Sequence, residues 1–233
     1  MHRGSTTPRT PSPEGAKTDT TRQRLLEAAG HVIGDRGFDR ATGKEICERA
    51  GANSAAVNYY FGGMNGLYAA VLDEAHHRLI TLETLSAALA GQTDPKEKLR
   101  IVIRLGVKML MGPIAKSWVL RVVAREISAP SLAFASSPEA QVQNNERLVR
   151  LGILKGIASE IMGLPIDHPA VARGCMCVMA PITLLMIADR DALAQKLPGL
   201  GFGIEDAEAW ALQLANHAIA GLAVTGNQIR LSA

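Results

Sequence analysis

From Asp19 onward the apolar positions of this chain recur every three to four residues. In "DTTRQRLLEAAGHVIGDRGF", Leu25, Ala28, Ala29, Val32 and Ile33 fall on one face of a helix. Asp19 or Thr20 is placed to cap its start and Gly37 to end it. In the next stretch, "ATGKEICERAG", Thr42 and Glu45 have capping-box spacing just ahead of Ile46 and Cys47. Gly51 stops this second helix after about two turns. A third short helix is predicted over 54–61, with Asn53 as its N-cap and Gly62-Gly63 as its stop. The fourth is longer: Leu67, Val71, Ala75, Leu79 and Leu82 share a face of a helix expected over 64–89. Helical patterns then cover roughly 95–111, 114–128, 138–162, 168–189 and 204–225. Gly112-Pro113, Pro130, Gly163 to Pro165 and Pro198 to Gly203 separate them. The pattern shows neither strand-like alternation nor a repeat of 20 to 50 residues. The expected fold class is all-α.

Composition agrees with this pattern. The chain has 233 residues, 47% hydrophobic and 20% charged, enough to bury a core. It has 4 Phe, 2 Trp and 3 Tyr, while Ala, Leu, Ile and Met are plentiful, which favours helices over strands. The formal net charge is +3 and all of it lies at the start. Up to residue 24, Arg3, Arg9, Lys17, Arg22 and Arg24 outnumber Glu14 and Asp19, and the rest of the chain is neutral. Residues 1–18, "MHRGSTTPRTPSPEGAKT", lack apolar content and are expected to form a disordered basic tail, either solvated or lying near a polyanion. Cys47, Cys175 and Cys177 are too few for a disulfide framework and fit a reducing cytoplasm. No apolar leader is expected at the N-terminus, and the longest apolar run, 175–188, contains Pro181 and falls short of the ~20 residues of a membrane span. No membrane partner is expected.

Three of the nine aromatic residues stand together as Tyr59-Tyr60-Phe61 in "AGANSAAVNYYFGG". Two short helices joined by Gly51-Ala52-Asn53 make a helix-turn-helix pattern over about 42–61. On the third helix Val57 and Phe61 share an inward apolar face. Ser54 and Asn58 share a second face, and Ala55 and Tyr59 a third beside it. Small residues let a helix lie deep in the major groove, Ser and Asn can bond base edges or phosphates, and Tyr hydroxyls can bond phosphate oxygens. The same residues also suit a helical hairpin with two surface tyrosines.

Residues 21–72 resemble the DNA-binding domain of TetR/AcrR-family transcriptional regulators. The matching text is "TRQRLLEAAGHVIGDRGFDRATGKEICERAGANSAAVNYYFGGMNGLYAAVL". "REISAPSLAF" (125–134) resembles the regulatory domain of one branch. The resemblance implies a DNA-binding domain over 19–66 and a helical effector-binding and dimerisation domain over 67–233. It also implies contacts to phosphates or bases from Lys44, Asn53, Ser54, Ala55, Ala56, Asn58, Tyr59 and Tyr60, with Phe61 as a core aromatic. Two positions depart from the family's pattern. Gly43 stands where Thr or Val is usual, and Met64 where a phosphate-binding Lys is usual. The basic tail, with Lys17, Arg22 and Arg24, is the expected compensation.

By the same resemblance, the last two long helices pair with those of a second copy. Val171, Cys175, Val178, Met179, Ile182, Leu185 and Met186 on one, and Ala211, Leu212, Leu214, Ala215, Ile219 and Leu222 on the other, are apolar enough either for that or for intrachain core. Candidate effector-pocket residues are Met109, Trp118, Arg121, Arg125, Phe134, Met176 and Met179, because Met-rich apolar linings adapt to ligands. His168 with Cys175 and Cys177 lacks zinc spacing, and Asp73, His76 and His77 suit a solvated face better than a metal. No metal or cofactor is expected. No Ser-His-Asp order, phosphate loop or HExxH pattern is present, so the chain is not expected to be an enzyme. The expected function is a cytoplasmic repressor, a homodimer on a near-palindromic DNA operator released by a small-molecule effector. The alternative is an all-α interaction module with a vestigial reader.

Overall fold

The structure is a computed structural model describing the backbone of residues 13–128 and 138–232, and the side chains of 20–114, 117–128 and 148–232. Among the described residues the regular elements are all helical. In chain order they are α1 (Pro13–Arg36), α2 (Gly43–Ala50), α3 (Ala56–Phe61), α4 (Met64–His77), α5 (Leu82–Leu89), α6 (Pro95–Met111), α7 (Trp118–Ser128), α8 (Pro138–Met162), α9 (Pro169–Ile187), α10 (Arg190–Lys196) and α11 (Ala207–Leu231). Helix α1 starts at Pro13, a favoured first-turn residue, and so takes in residues expected to be a disordered tail.

The chain divides into two compact units, the first ending at Val71 and the second beginning at Leu72. The division lies inside α4, whereas the sequence placed it at 66. The first half of α4 belongs to the first core: Leu67 and Val71 are fully buried, and Tyr68 stacks on Phe38 with ring centroids 4.5 Å apart. Around them lie Leu25, Ala29, Val32 and Ile33 of α1, Ile46 and Cys47 of α2, and Val57 of α3, all buried. Each large apolar side chain so buried contributes about 1.5–3 kcal/mol.

Helix α4 ends at His77, well short of the expected 89. The break is stabilised locally. Thr81 Oγ1 accepts the Thr84 N–H at 3.1 Å and starts α5, and Arg150 of α8 donates to the Ile80 carbonyl at 2.9 Å. Periodicity alone runs on through Leu79 and Leu82, because a cap and a distant arginine leave no mark on the apolar pattern. Helix α10 was also missed, being a single short piece capped by Asp189, whose Oδ1 accepts the Ala192 N–H at 3.0 Å. Its first residue, Arg190, donates to the Leu110 carbonyl at 2.9 Å and the Leu185 carbonyl at 3.1 Å, satisfying the ends of α6 and α9 together.

In the second unit α6, α8, α9 and α11 enclose one core built from Leu99, Ile103 and Val107, Ile157, Ala158 and Met162, Val171, Cys175 and Val178, and Ala211, Ala215 and Leu222. Alanines and a glycine on α11 permit close approach. A β-carbon on Gly226 would collide with the Met162 carbonyl oxygen and stand 2.6 Å from the Met162 Cα. Gly226→Ala is therefore expected to force α8 and α11 apart and to cost about 2–3 kcal/mol, read as a lower urea midpoint. An unchanged midpoint would mean the crossing yields freely.

Candidate nucleic-acid interface

The loop between α2 and α3 is built by three residues. Thr42 Oγ1 accepts the Glu45 N–H at 3.2 Å, the first half of the expected capping box. The second half is diverted: Glu45 Oε1 lies 3.0 Å from Arg36 Nη1, tying α2 to the end of α1. Gly51 ends α2 in the left-handed conformation (φ 60°, ψ 40°). Gly51→Ala should cost about 1 kcal/mol in thermal unfolding and Gly51→Asn less, because Asn tolerates that conformation. Equal losses would mean that something other than backbone conformation sets the cost. Asn53 then makes an Asx turn, its Oδ1 accepting the Ala55 N–H at 2.9 Å.

Asn53 thus starts the turn as expected, but regular helix begins only at Ala56. This divides the eight positions implied for DNA contact. Asn53, Ser54, Ala55, Asn58 and Tyr59 are exposed on the arc of the turn and α3, and Lys44 is exposed on α2. Asn53 Oδ1 is engaged in the turn, with Ser54 Oγ 3.5 Å away. Tyr60 is half-buried and meets Tyr59 edge-on at 4.8 Å, while Tyr59 is 79% exposed. Ala56 corrects the expectation: at 8% exposed it packs into the core, because it lies next to the inward Val57 on α3 and shares the edge of its buried face. Phe61 is half-buried rather than fully buried, and the Arg22 guanidinium lies over its ring at 5.1 Å. Lys44 Nζ is 3.9 Å from Glu48, a loose exposed pair. A separate open groove of about 830 Å³, between α1 and the end of α2, is lined by Gln23, Arg24, Glu27, His31 and Arg49 and takes no residue of α3.

The effector candidates do not converge. Trp118 is 1% exposed and sealed by Arg78, 5.2 Å from its ring centroid. Met109 packs against Leu110, Leu120 and Leu185. Arg121 is half-buried and Arg125 exposed. Met176 and Met179 are exposed on α9, and Phe134 lies outside the described residues. A groove between α9 and α11, of about 260 Å³, is lined instead by Arg173, Cys177, Pro181, His217, Gly221 and neighbours, none of them a candidate. Sequence reasoning passed over these because their polar groups sit singly in apolar helices.

Val171, Cys175, Val178 and Leu185 of α9, with Ala211, Ala215, Ile219 and Leu222 of α11, prove to be intrachain core. The exposed large apolar residues are Met176, Met179, Leu184 and Ile187 on α9 and Leu212, Val224 and Leu231 on α11. By length and composition α9 could cross a membrane, yet one face of it forms part of this core. Cys175 is buried and Cys177 exposed, on different sides of α9, and burial pushes the Cys175 thiol up. His76 and His77 bond through Nδ1 to the carbonyls of Leu72 and Asp73 at 2.7 and 2.9 Å.

The family profile described as "Bacterial regulatory proteins, tetR family" matches residues 25–71. The HTH-type transcriptional regulator BetI of Brucella canis is 34% identical over 165 residues, covering 63% of this chain and 79% of that protein. The chain belongs to the TetR family. BetI of Paraburkholderia phytofirmans is 30% identical over 111 residues, 46% of this chain and 55% of its own length. Among solved structures, a TetR-like regulator from Rhodococcus sp. RHA1 superposes with a TM-score of 0.61 at 20% identity, covering 87% of this chain and 96% of that one. AibR, solved with isovaleryl coenzyme A and operator DNA, superposes with a TM-score of 0.60 at 14% identity, covering 85% and 96%. As a TetR-family member this chain is a DNA-binding transcriptional regulator and not an enzyme.

Proposed function

We propose that this TetR-family regulator is a cytoplasmic repressor that binds a near-palindromic operator as a homodimer and leaves it when a small molecule binds the second unit. The observation that carries the DNA reading is the exposed arc of Ser54 and Ala55 on the turn and Asn58 and Tyr59 on the short helix after it, whose other face, Ala56 and Val57, is buried. Ser54 and Ala55 sit at the leading end, where small side chains admit bases, and Asn58, Tyr59 and Tyr60 reach the groove walls. Asn53 supports this arc by its turn, and Lys44 adds a cation beside it.

The homodimer is supported by the outward apolar residues of α9 and α11. Met176 is 67% exposed, Leu184 55% and Val224 55%, a costly surface for a lone subunit. Pairing these helices about a two-fold axis would cover them, and recognition helices about 34–36 Å apart would then read successive major-groove turns. A small-molecule effector is supported by AibR, a protein of this fold solved with a coenzyme A ester and operator DNA. Coupling of about 1–3 kcal/mol between effector and operator suffices for release. The test is selection from a random duplex library, followed by gel shift. A palindrome bound by two subunits is the expected result, and enrichment of no sequence would sink the reading.

A further inference from the structure

At the end of α3 the chain itself carries no cation: Phe61 is followed by Gly62, Gly63 and Met64. Met64 turns toward α2, its Sδ 3.7 Å from where a β-carbon on Gly43 would stand. The two positions that depart from the family's pattern therefore face each other, and the missing side chain of Gly43 leaves space for the thioether. A cation arrives instead from another helix. Arg22 of α1 is exposed, and its guanidinium carbon lies 5.1 Å from the centroid of the Phe61 ring.

The other nearby cations are placed differently. Arg24 donates to Thr21 Oγ1 at 3.3 Å, and its Nη1 lies 3.9 Å from the β-carbon position of Gly51, at the far end of α2. Two residues apart on one helix, Arg22 and Arg24 point about 200° apart. Arg36 is paired with Glu45 at 3.0 Å. Arg22 alone of these stands at the junction of α3 and α4.

We propose that Arg22 is a phosphate-binding residue of the DNA interface, positioned by the Phe61 ring, and that it supplies the cation position 64 lacks. This rests on the DNA reading above and adds a contact that the recognition helix does not contain. A guanidinium lying over a ring uses its face for the aromatic contact and keeps its in-plane N–H donors at the edge, where a phosphate accepts two of them. The ring also restricts a long side chain before DNA arrives, so less conformational freedom is lost on binding. Phe61 thereby has two tasks, packing beside Val57 on one side and orienting Arg22 on the other.

The test uses the full chain and a duplex that the wild-type protein selects from a random library, with a scrambled duplex alongside. A residue that neutralises one phosphate contributes about 0.9 to the slope of log affinity against log salt, and about fivefold in affinity at about 0.15 M salt. Arg22→Ala is expected to remove both amounts for each bound subunit, on the selected and the scrambled duplex alike. Arg22→Lys keeps the charge and should keep the slope. Arg24→Ala should leave the slope unchanged. Both Arg22 variants are expected to retain the wild-type circular dichroism, since the side chain is exposed. An unchanged slope in Arg22→Ala, a loss confined to the selected duplex, or an equal drop in Arg24→Ala would overturn the proposal. A wild-type protein that selects no duplex would instead overturn the DNA reading beneath it.

Discussion

A Tyr59→Ala/Tyr60→Ala variant is expected to bind the operator about a thousandfold more weakly while staying folded. Each phenol is placed to donate one hydrogen bond to a phosphate, and such a bond contributes about 1 kcal/mol net. Two per subunit in a dimer come to about 4 kcal/mol, which is roughly that factor. The fold should tolerate the change. Tyr59 is 79% exposed, and Tyr60 is half-buried with Tyr59 as its edge-on partner at 4.8 Å. Losing that pair costs on the order of 1 kcal/mol of stability. The core beneath depends on Ala56 and Val57, which are untouched. Fluorescence anisotropy with the selected duplex measures the affinity and circular dichroism the fold. Tyr59→Phe/Tyr60→Phe separates hydroxyl from ring: it should lose nearly as much affinity and almost no stability. Wild-type affinity in the Ala variant would mean these phenols do not touch DNA.

Trp118→Ala is expected to destabilise the second unit by about 3–5 kcal/mol, the usual cost of emptying a large aromatic site. Trp118 is 1% exposed, and Arg78 lies over its ring at 5.2 Å. Removing the indole leaves a cavity under that cation. Arg78 also pairs with Glu74 at 2.7 Å, so the end of α4 loses the surface on which this pair rests. Trp118→Phe should recover more than half of the loss. Because the chain has two units, unfolding should be followed by probes that report each, and the loss should fall on the second transition. A drop in effector affinity with unchanged unfolding would mean that Trp118 lines a ligand site rather than filling the core.

What was legible in the sequence was legible for local reasons. Helix α2 announces both its ends, at Thr42 and Gly51, because capping chemistry acts within four residues. The arc of α3 could be read in the same way, since every third or fourth residue must share a face. Ala56 was misplaced because it lies only about 100° from the inward Val57, and the sequence does not say how wide the buried face of so short a helix is. The effector candidates do not gather in one place, for the opposite reason. Met176, Met179 and Trp118 share a composition that suits a pocket, but composition has no direction. Two of them are on a surface and one is sealed in a core.

The sequence by itself determined the class of fold and the turn between α2 and α3. These depend on hydrophobic period and on caps, which act between near neighbours. Only the tertiary structure decided where α4 breaks, because the Ile80 carbonyl is satisfied by Arg150, seventy positions away. It alone divided the apolar residues of α9 into core and exposed surface, since period marks a face without saying what covers it. Only the tertiary structure, too, brought Arg22 onto Phe61, a contact between residues that share no local pattern and meet because α1 and α3 fold against one core.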